Sequence, residues 1–468
     1  MIFSSYRFLL IFFPITLLGY HLLRRTGRPT PVKLWLTAAS LVFYGVGQPD
    51  FLLGFCLSIL LNYAILYALD RTKRLWLRRA LLLAAILWNV GLLVYFKYAN
   101  FLLQNLNLLL RTDLPLLSTI LPIGISFFTF QILACTVSLY RGDCALPAPL
   151  DYAAFVTFFP QLIVGPVVRE EELMPQLREG RFLRFSPRDL YRGVMLFSCG
   201  CAKKILLADT MIAYAQGFYG GSMAEAGAVE AWAAVFSYVF AYYFDFSGYI
   251  DMARGLGYFF GVELPINFDS PYRARDFADF WRRWNMTISR FFNDAVFSNL
   301  FRFGDRVPKL IFATLATFVV SGLWHGAGWH YIAWGLVNGA LVCLANLRAL
   351  RGRRPLPAGL AVFLTFFTGA LVRVLFDSRG LTQALAVYRR LFSFAGFRPG
   401  ALLAFVGGHA VLCVTLAVSA ALCFCAPNSN RISEKTEFTA RDAILSGVLL
   451  ALSLFCMSRV SAFLYFNF

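Results

Sequence analysis

Apolar runs about as long as a bilayer is thick recur from one end of this 468-residue chain to the other. Examples are FLLGFCLSILLNYAILYAL (51–69), LLLAAILWNVGLLVYF (81–96) and LIFATLATFVVSGLW (310–324). A helix rises about 1.5 Å per residue, so about 20 such residues cross a hydrocarbon core about 30 Å thick. Hydrocarbon satisfies no backbone polar group, so only helices or closed barrels span it, and runs of this length select helices. The chain is 59% hydrophobic and 15% charged, outside the range of soluble domains. The expected fold is an all-α polytopic membrane protein with a single membrane-embedded domain over 1–468. Candidate spans are roughly 3–23, 34–47, 50–69, 79–97, 115–138, 188–207, 225–247, 309–323, 331–347, 358–375, 401–425 and 442–465.

The net charge of +18 does not point to nucleic acid, because the basic residues cluster in short loops between apolar runs. Residues 24–33, 71–79 and 348–354 are such loops and are expected on the cytoplasmic side, against anionic headgroups. That places the N-terminus outside the cytoplasm, in what is expected to be a cell membrane. The first run has no small-x-small cleavage pattern and runs into Arg24, Arg25 and Arg28, so it is expected to be a retained span. Lys203 and Lys204 are expected at a cytoplasmic interface. The loop 376–400 conflicts with simple alternation, since Arg379, Arg389, Arg390 and Arg398 would lie outside. Either it forms an amphipathic surface helix or a neighbouring span is re-entrant.

Ten cysteines lie mostly within apolar runs, without a C-x-x-C pair, and no metal site is expected. Two stretches, 151–177 and 244–308, are too polar for plain spans and too apolar for soluble loops. Irregular backbone at membrane depth survives where protein or a cavity satisfies it, so these stretches imply an internal cavity.

The four histidines are His21, His325, His330 and His409. His21 and His409 stand at or within apolar runs, where a structural role is ordinary. His325 lies in SGLWHGAGWHYIAWG (321–335), directly after an apolar run. Gly322, Gly326 and Gly328 permit close backbone approach, and Trp324 and Trp329 are expected as flat walls. An ionisable group at membrane depth is a functional candidate by default.

The segment FDFSGYIDMARGLGYFFGVELPINFDSPYRARDFADFWRRWN (244–285), followed by SGLWHGAGWHYIAWG, resembles the membrane-bound O-acyltransferase family. The similar branch is bacterial and contains the membrane subunit of alginate O-acetylation and the D-alanyl transfer protein of teichoic acids. LPIGISFFTFQ (121–131), FFPQLIVGPVVR (158–169) and FLYFNF (463–468) match as well, and the resemblance is strongest over about 95–345. It implies a ring of tilted helices around a central tunnel, with re-entrant or interfacial helices, in which donor and acceptor reach a buried histidine from opposite faces. That histidine maps onto His325.

One departure is informative. The branch usually carries a second histidine in the FWRRWH motif, and here the position is Asn285. The stretch SRFFNDAVFSNLFRFGDR (289–306) also departs from the branch pattern. The expected catalytic pair is therefore His325 as general base and Asn285 as its helper. Trp281, Arg282, Trp284, Ser321, Trp324, Asp245 and Ser247 are the candidate substrate-binding residues. Asp245, Ser247 and Asp251 either share a polar strip along the tunnel or satisfy backbone and arginine donors. Arg282 and Arg283 face either phosphates of the donor or lipid headgroups.

The expected function is acetyl transfer from cytoplasmic acetyl-CoA towards a secreted or cell-surface polysaccharide, directly or through an extracytoplasmic acetyltransferase partner. No bound cofactor is expected. Within enzymes the alternative is D-alanyl transfer to teichoic acid. Outside them it is a transporter or lipid flippase, against which the sequence has no paired broken-helix repeats.

Overall fold

The computed structural model describes residues 1–221, 223, 226–393, 399–435, 438–457 and 464. Regular structure among these residues is helical, without a strand. The chain divides into two compact units: Met1–Ser198 with Tyr249–Pro265 and Phe438–Ser446, and Cys199–Gly248 with Ile266–Glu437 and Gly447–Phe468.

The first unit is built on α1 (Phe13–Arg24), α2 (Pro29–Gly47), α3 (Pro49–Arg71), α4 (Leu75–Leu93) and α5 (Ile125–Arg141). Pro29 and Pro49 open α2 and α3, where the missing N–H costs nothing. The outward faces of α3 and α4 carry exposed Leu53, Leu60, Leu83 and Leu87, which suits a lipid surround. Their inward faces are joined by a buried amide bridge. Asn89 Nδ2 donates to Asn62 Oδ1 at 2.7 Å, and each amide also donates to its own helix, to the carbonyls of Ser58 and Ala85. Such polar links hold helices together where the hydrophobic effect supplies no preference between lipid and protein.

The expected span 115–138 is shorter than the apolar run, because its helix begins only at Ile125. Pro115 and Pro122 lack donors, and Gly124 sits at φ +80° with its Cα against the Leu162 carbonyl, so the helix cannot extend backwards. The stretch 151–177 breaks into Pro149–Thr157, Phe159–Leu162 and Glu170–Arg178. Side chains satisfy its open backbone: Phe159 N–H donates to Ser40 Oγ at 3.0 Å, and Gln161 Nε2 to the Phe155 carbonyl at 2.8 Å.

The second unit contains α6 (Phe277–Arg283), α7 (Met286–Phe292), α8 (Val307–His325), α9 (Trp329–Leu350) and α10 (Ala358–Asp377). α8 and α9 form an antiparallel hairpin, closed by glycines facing backbone. A Cβ on Gly322 would overlap the Tyr331 carbonyl, and one on Gly335 would overlap the Phe318 carbonyl. The expected run 401–425 is one broken element: Gly400–Gly408 and Ala410–Phe424 meet at 94°. The loop 376–400 contains an amphipathic helix, Leu381–Leu391, that buries Ala384, Val387 and Leu391; Arg398 lies outside the described residues. The run 442–465 is helical from Ala440 to Cys456, and most of FLYFNF lies outside the described residues.

Lys204 corrects an expectation. It is 3% exposed and sits between Asp209 (2.9 Å) and Asp245 (2.7 Å) rather than at a headgroup interface. Among the described residues, five helices are long and apolar enough to cross a membrane, or six with the bent pair as one span. That is fewer than the twelve apolar runs, several of which are short or broken.

Gly335→Ala should destabilise the hairpin by about 1–3 kcal/mol, the usual cost of overpacking. The check is thermal unfolding in detergent, with Gly54→Ala as the control, since no neighbouring atom lies within 4 Å of a Cβ there. Equal melting temperatures for the two variants would contradict the close approach.

Candidate active site

One face of α8 carries Thr314, Thr317, Phe318, Ser321 and His325, at offsets that align along a helix. These side chains line a cavity of about 540 Å³. Eleven residues separate Thr314 from His325, so this wall runs about 16 Å along the helix. Opposite it stand Ala278, Trp281 and Arg282 of α6, then Asn285, the residues of α7 other than Phe291, and Asn293 and Phe297. Val342 and Asn346 of α9 complete it. Thr314 and Thr317 donate their hydroxyls to the carbonyls of Leu310 and Ala313, within their own helix.

His325 is the last residue of α8 and is 7% exposed. Its ring meets Trp324 (4.5 Å between centroids), Trp334 (5.1 Å) and Phe376 (5.0 Å) edge to face. Gly326 follows in extended conformation with the Tyr331 ring against its Cα, which leaves no room for a side chain. Trp329, expected as the second wall, is 58% exposed. Trp334, one and a half turns further on, takes that place together with Phe376.

Asn285 joins α6 to α7 in the left-handed region, at φ +45° and ψ +54°, a conformation that asparagine tolerates better than most residues. Its side chain is oriented by a chain of hydrogen bonds that begins at a peptide group. The Thr287 N–H can only donate, and it donates to Asn267 Oδ1 at 3.0 Å, as does Thr287 Oγ1. Asn267 therefore presents Nδ2 to Asn285, whose Oδ1 accepts it at 3.0 Å. The Asn267 carbonyl accepts the Met286 N–H, also at 3.0 Å. Among the described residues Asn285 Nδ2 has no hydrogen-bond partner, which leaves it as a donor on the cavity that His325 lines. Asn267, 1% exposed, is the residue the sequence reading missed. Its signal was its place in the ELPINFDSP stretch, a buried amide in irregular backbone.

The remaining candidates divide. Trp281, Arg282 and Ser321 line the cavity together with His325 and Asn285. Trp281 packs edge-on against Phe318 (5.3 Å) and Trp334 (5.6 Å), and its buried Nε1 has no hydrogen-bond partner among the described residues. The Arg282 side chain is 70% exposed, near Asp279. Arg283 is held by Asp279 at 2.9 Å. Trp324 supports His325 and Phe292 from outside the cavity. Trp284 stacks on Phe280 and abuts Phe268, away from the cavity. Asp245 is engaged by Lys204 and by the Leu464 N–H. Ser247 is two residues from Asp245 on a helix of 3.6 residues per turn, so the two point to nearly opposite sides and form no common strip. Among the described residues no cluster of three or more His, Cys, Asp or Glu side chains is placed to hold a metal ion.

The arrangement is a partly polar cavity with an imidazole and an amide donor on its walls. The profile of the membrane-bound O-acyltransferase family matches residues 66–354, more than half of the chain. The chain belongs to the membrane-bound O-acyltransferase family. It is a multi-pass membrane O-acyltransferase. The peptidoglycan O-acetyltransferase of Helicobacter pylori is 33% identical to it, over 100% of this chain and 98% of that protein. A "probable alginate O-acetylase" of Pseudomonas aeruginosa is 33% identical over 84% of this chain and 75% of its own length. The teichoic acid D-alanyltransferase of Streptococcus thermophilus is 27% identical over 54% of this chain and 68% of its own length.

Asn267→Ala should lower the activity of this acyltransferase although the residue lies behind Asn285. It strips partners from Asn285 Oδ1 and the Thr287 N–H, at about 1–3 kcal/mol per orphaned buried group. Melting temperature and transfer rate should both fall. Unchanged transfer by a folded variant would show that Asn285 needs no clamp.

Proposed function

We propose that this O-acyltransferase moves acetyl from cytoplasmic acetyl-CoA to a hydroxyl on an exported cell-envelope polysaccharide, directly or through an extracytoplasmic partner protein. His325 is the general base and Asn285 the oxyanion donor. The observation that carries this reading is the convergence of His325 and the uncommitted Asn285 donor on one cavity. The α8 wall runs about 16 Å along the helix, a length that suits the linear arm of a thioester donor. Peptidoglycan is the favoured acceptor class, because the relative named for it aligns with the whole chain. The D-alanyl transfer proteins align with about half of it.

In the proposed step, His325 takes the proton of the acceptor hydroxyl as its oxygen attacks the thioester carbonyl. The C–O bond forms and the carbonyl oxygen becomes an oxyanion, which receives a hydrogen bond from Asn285 Nδ2. Collapse breaks the C–S bond, and the imidazolium gives its proton to the departing thiolate sulfur. The products are an O-acetyl ester, free thiol and neutral His325. Trp324, Trp334 and Phe376 fix the imidazole plane, which is the positioning that efficient proton transfer requires.

The test measures ester-linked acetate released by mild alkali from isolated cell wall, together with labelled acetyl transfer by reconstituted protein. His325→Ala, at wild-type abundance, should lose about 10²–10⁴-fold in rate, the range of general-base help. Asn285→Asp keeps an oxygen for Asn267 but replaces the donor with an anion, and should lose about 10²–10³-fold. Wild-type acetate on cells carrying His325→Ala would end the reading. Transfer of D-alanine but not acetate would move it to the teichoic acid class.

A further inference from the structure

The second unit has a groove unrelated to the catalytic cavity, about 370 Å³ in volume, where α9 ends and α10 begins. Its rim carries Arg275, Arg348, Arg353 and Arg354. Among the described residues none of these guanidiniums has a carboxylate within 4 Å. The acid on the rim, Asp276, caps α6 by accepting the Asp279 N–H at 2.7 Å. Below the rim the walls are apolar, with Leu344 (56% exposed) and Leu364 (43% exposed) open to the surround.

We propose that this groove binds an anionic phospholipid, its phosphate among the four arginines and an acyl chain along Leu344 and Leu364. A soluble anion would answer the rim and leave the leucines wet. A neutral acyl chain would answer the leucines and leave four cations unmatched. A phosphodiester amphiphile answers both, and arginine forks suit phosphate oxygens. The groove also lies where an apolar helix gives way to a basic loop, the depth at which headgroups reside. Its wall residues Phe277 and Thr365 also line a smaller cavity, shared with Trp281 and Trp334. A bound lipid therefore touches α6, α9 and α10, which line the His325 cavity or pack on the His325 ring. The proposal stands on the groove alone and does not require the acetyl-transfer reading.

The test is thermal unfolding of the full chain in nanodiscs of phosphatidylcholine with or without phosphatidylglycerol, with native mass spectrometry to count retained lipid. Phosphatidylglycerol should raise the wild-type melting temperature by several degrees, as a ligand selective for the folded state does. The Arg348→Gln, Arg353→Gln, Arg354→Gln triple variant should lose that shift and the retained lipid, while matching wild type in pure phosphatidylcholine. Arg353→Gln and Arg354→Gln alone, both on the exposed rim, should each reduce the shift and serve if the triple variant unfolds. Arg74→Gln with Arg79→Gln, at the start of α4 in the first unit, should keep it. The proposal fails if the rim variants keep the shift, or if the Arg74/Arg79 control loses it equally, which would indicate general surface charge. It fails too if inorganic phosphate or 3′-phosphoadenosine 5′-diphosphate gives the same arginine-dependent shift without anionic lipid, which would make the groove a soluble-phosphate site.

Discussion

The backbone contact between α8 and α9 is the interaction on which the site depends. Gly322 and Gly335 bring each helix against a carbonyl of the other, closer than side chains would allow. In hydrocarbon, where apolar side chains gain little by leaving lipid for protein, such contact is a main source of helix association. It sets where α8 stops. It puts His325 at the end of the hairpin, with Trp334 of the returning helix beside it. α10 then supplies Phe376 from the other side. The imidazole is thus fixed by three aromatic edges at a point where two helix axes nearly touch.

Against that rigid hairpin, the opposing wall is irregular by design. α6 and α7 are short, and Asn285 between them adopts a left-handed conformation. Such backbone in a membrane protein needs internal partners, and Asn267 provides them through its carbonyl and both ends of its amide. One element of the site is held by packing and the other by hydrogen bonds, so the cavity between them combines an apolar frame with a directed polar group.

Much of this was legible in the sequence. The apolar runs gave the helices, and the cluster of glycines and aromatics around His325 gave its burial. The polar stretch 151–177 is broken and largely buried, whereas 244–308 is continuous helix to Phe259, irregular beyond it, and largely exposed at 301–308. What was not legible has physical reasons. Span counting failed at 115–138 because a proline and a positive-φ glycine outweigh hydropathy, and at 401–425 because a bend leaves composition unchanged. Lys204 carries no sequence mark of its two buried carboxylates, which arrive from Asp209 and Asp245 through tertiary contact. Trp329 and Trp334 are equivalent as composition, and only the phase of α9 decides which of them faces His325. Phe376 lies some fifty residues away in sequence and has no local signal at all.

Thr314 and Thr317 look polar in the sequence, yet their hydroxyls are turned back onto the carbonyls of their own helix. What they offer the cavity is mainly methyl groups. The α8 wall is therefore less polar than its composition implies. An extended molecule lying along α8 would find at these two positions methyl groups to pack on rather than hydroxyls to bond, so the two threonines act there more as valines than as polar residues.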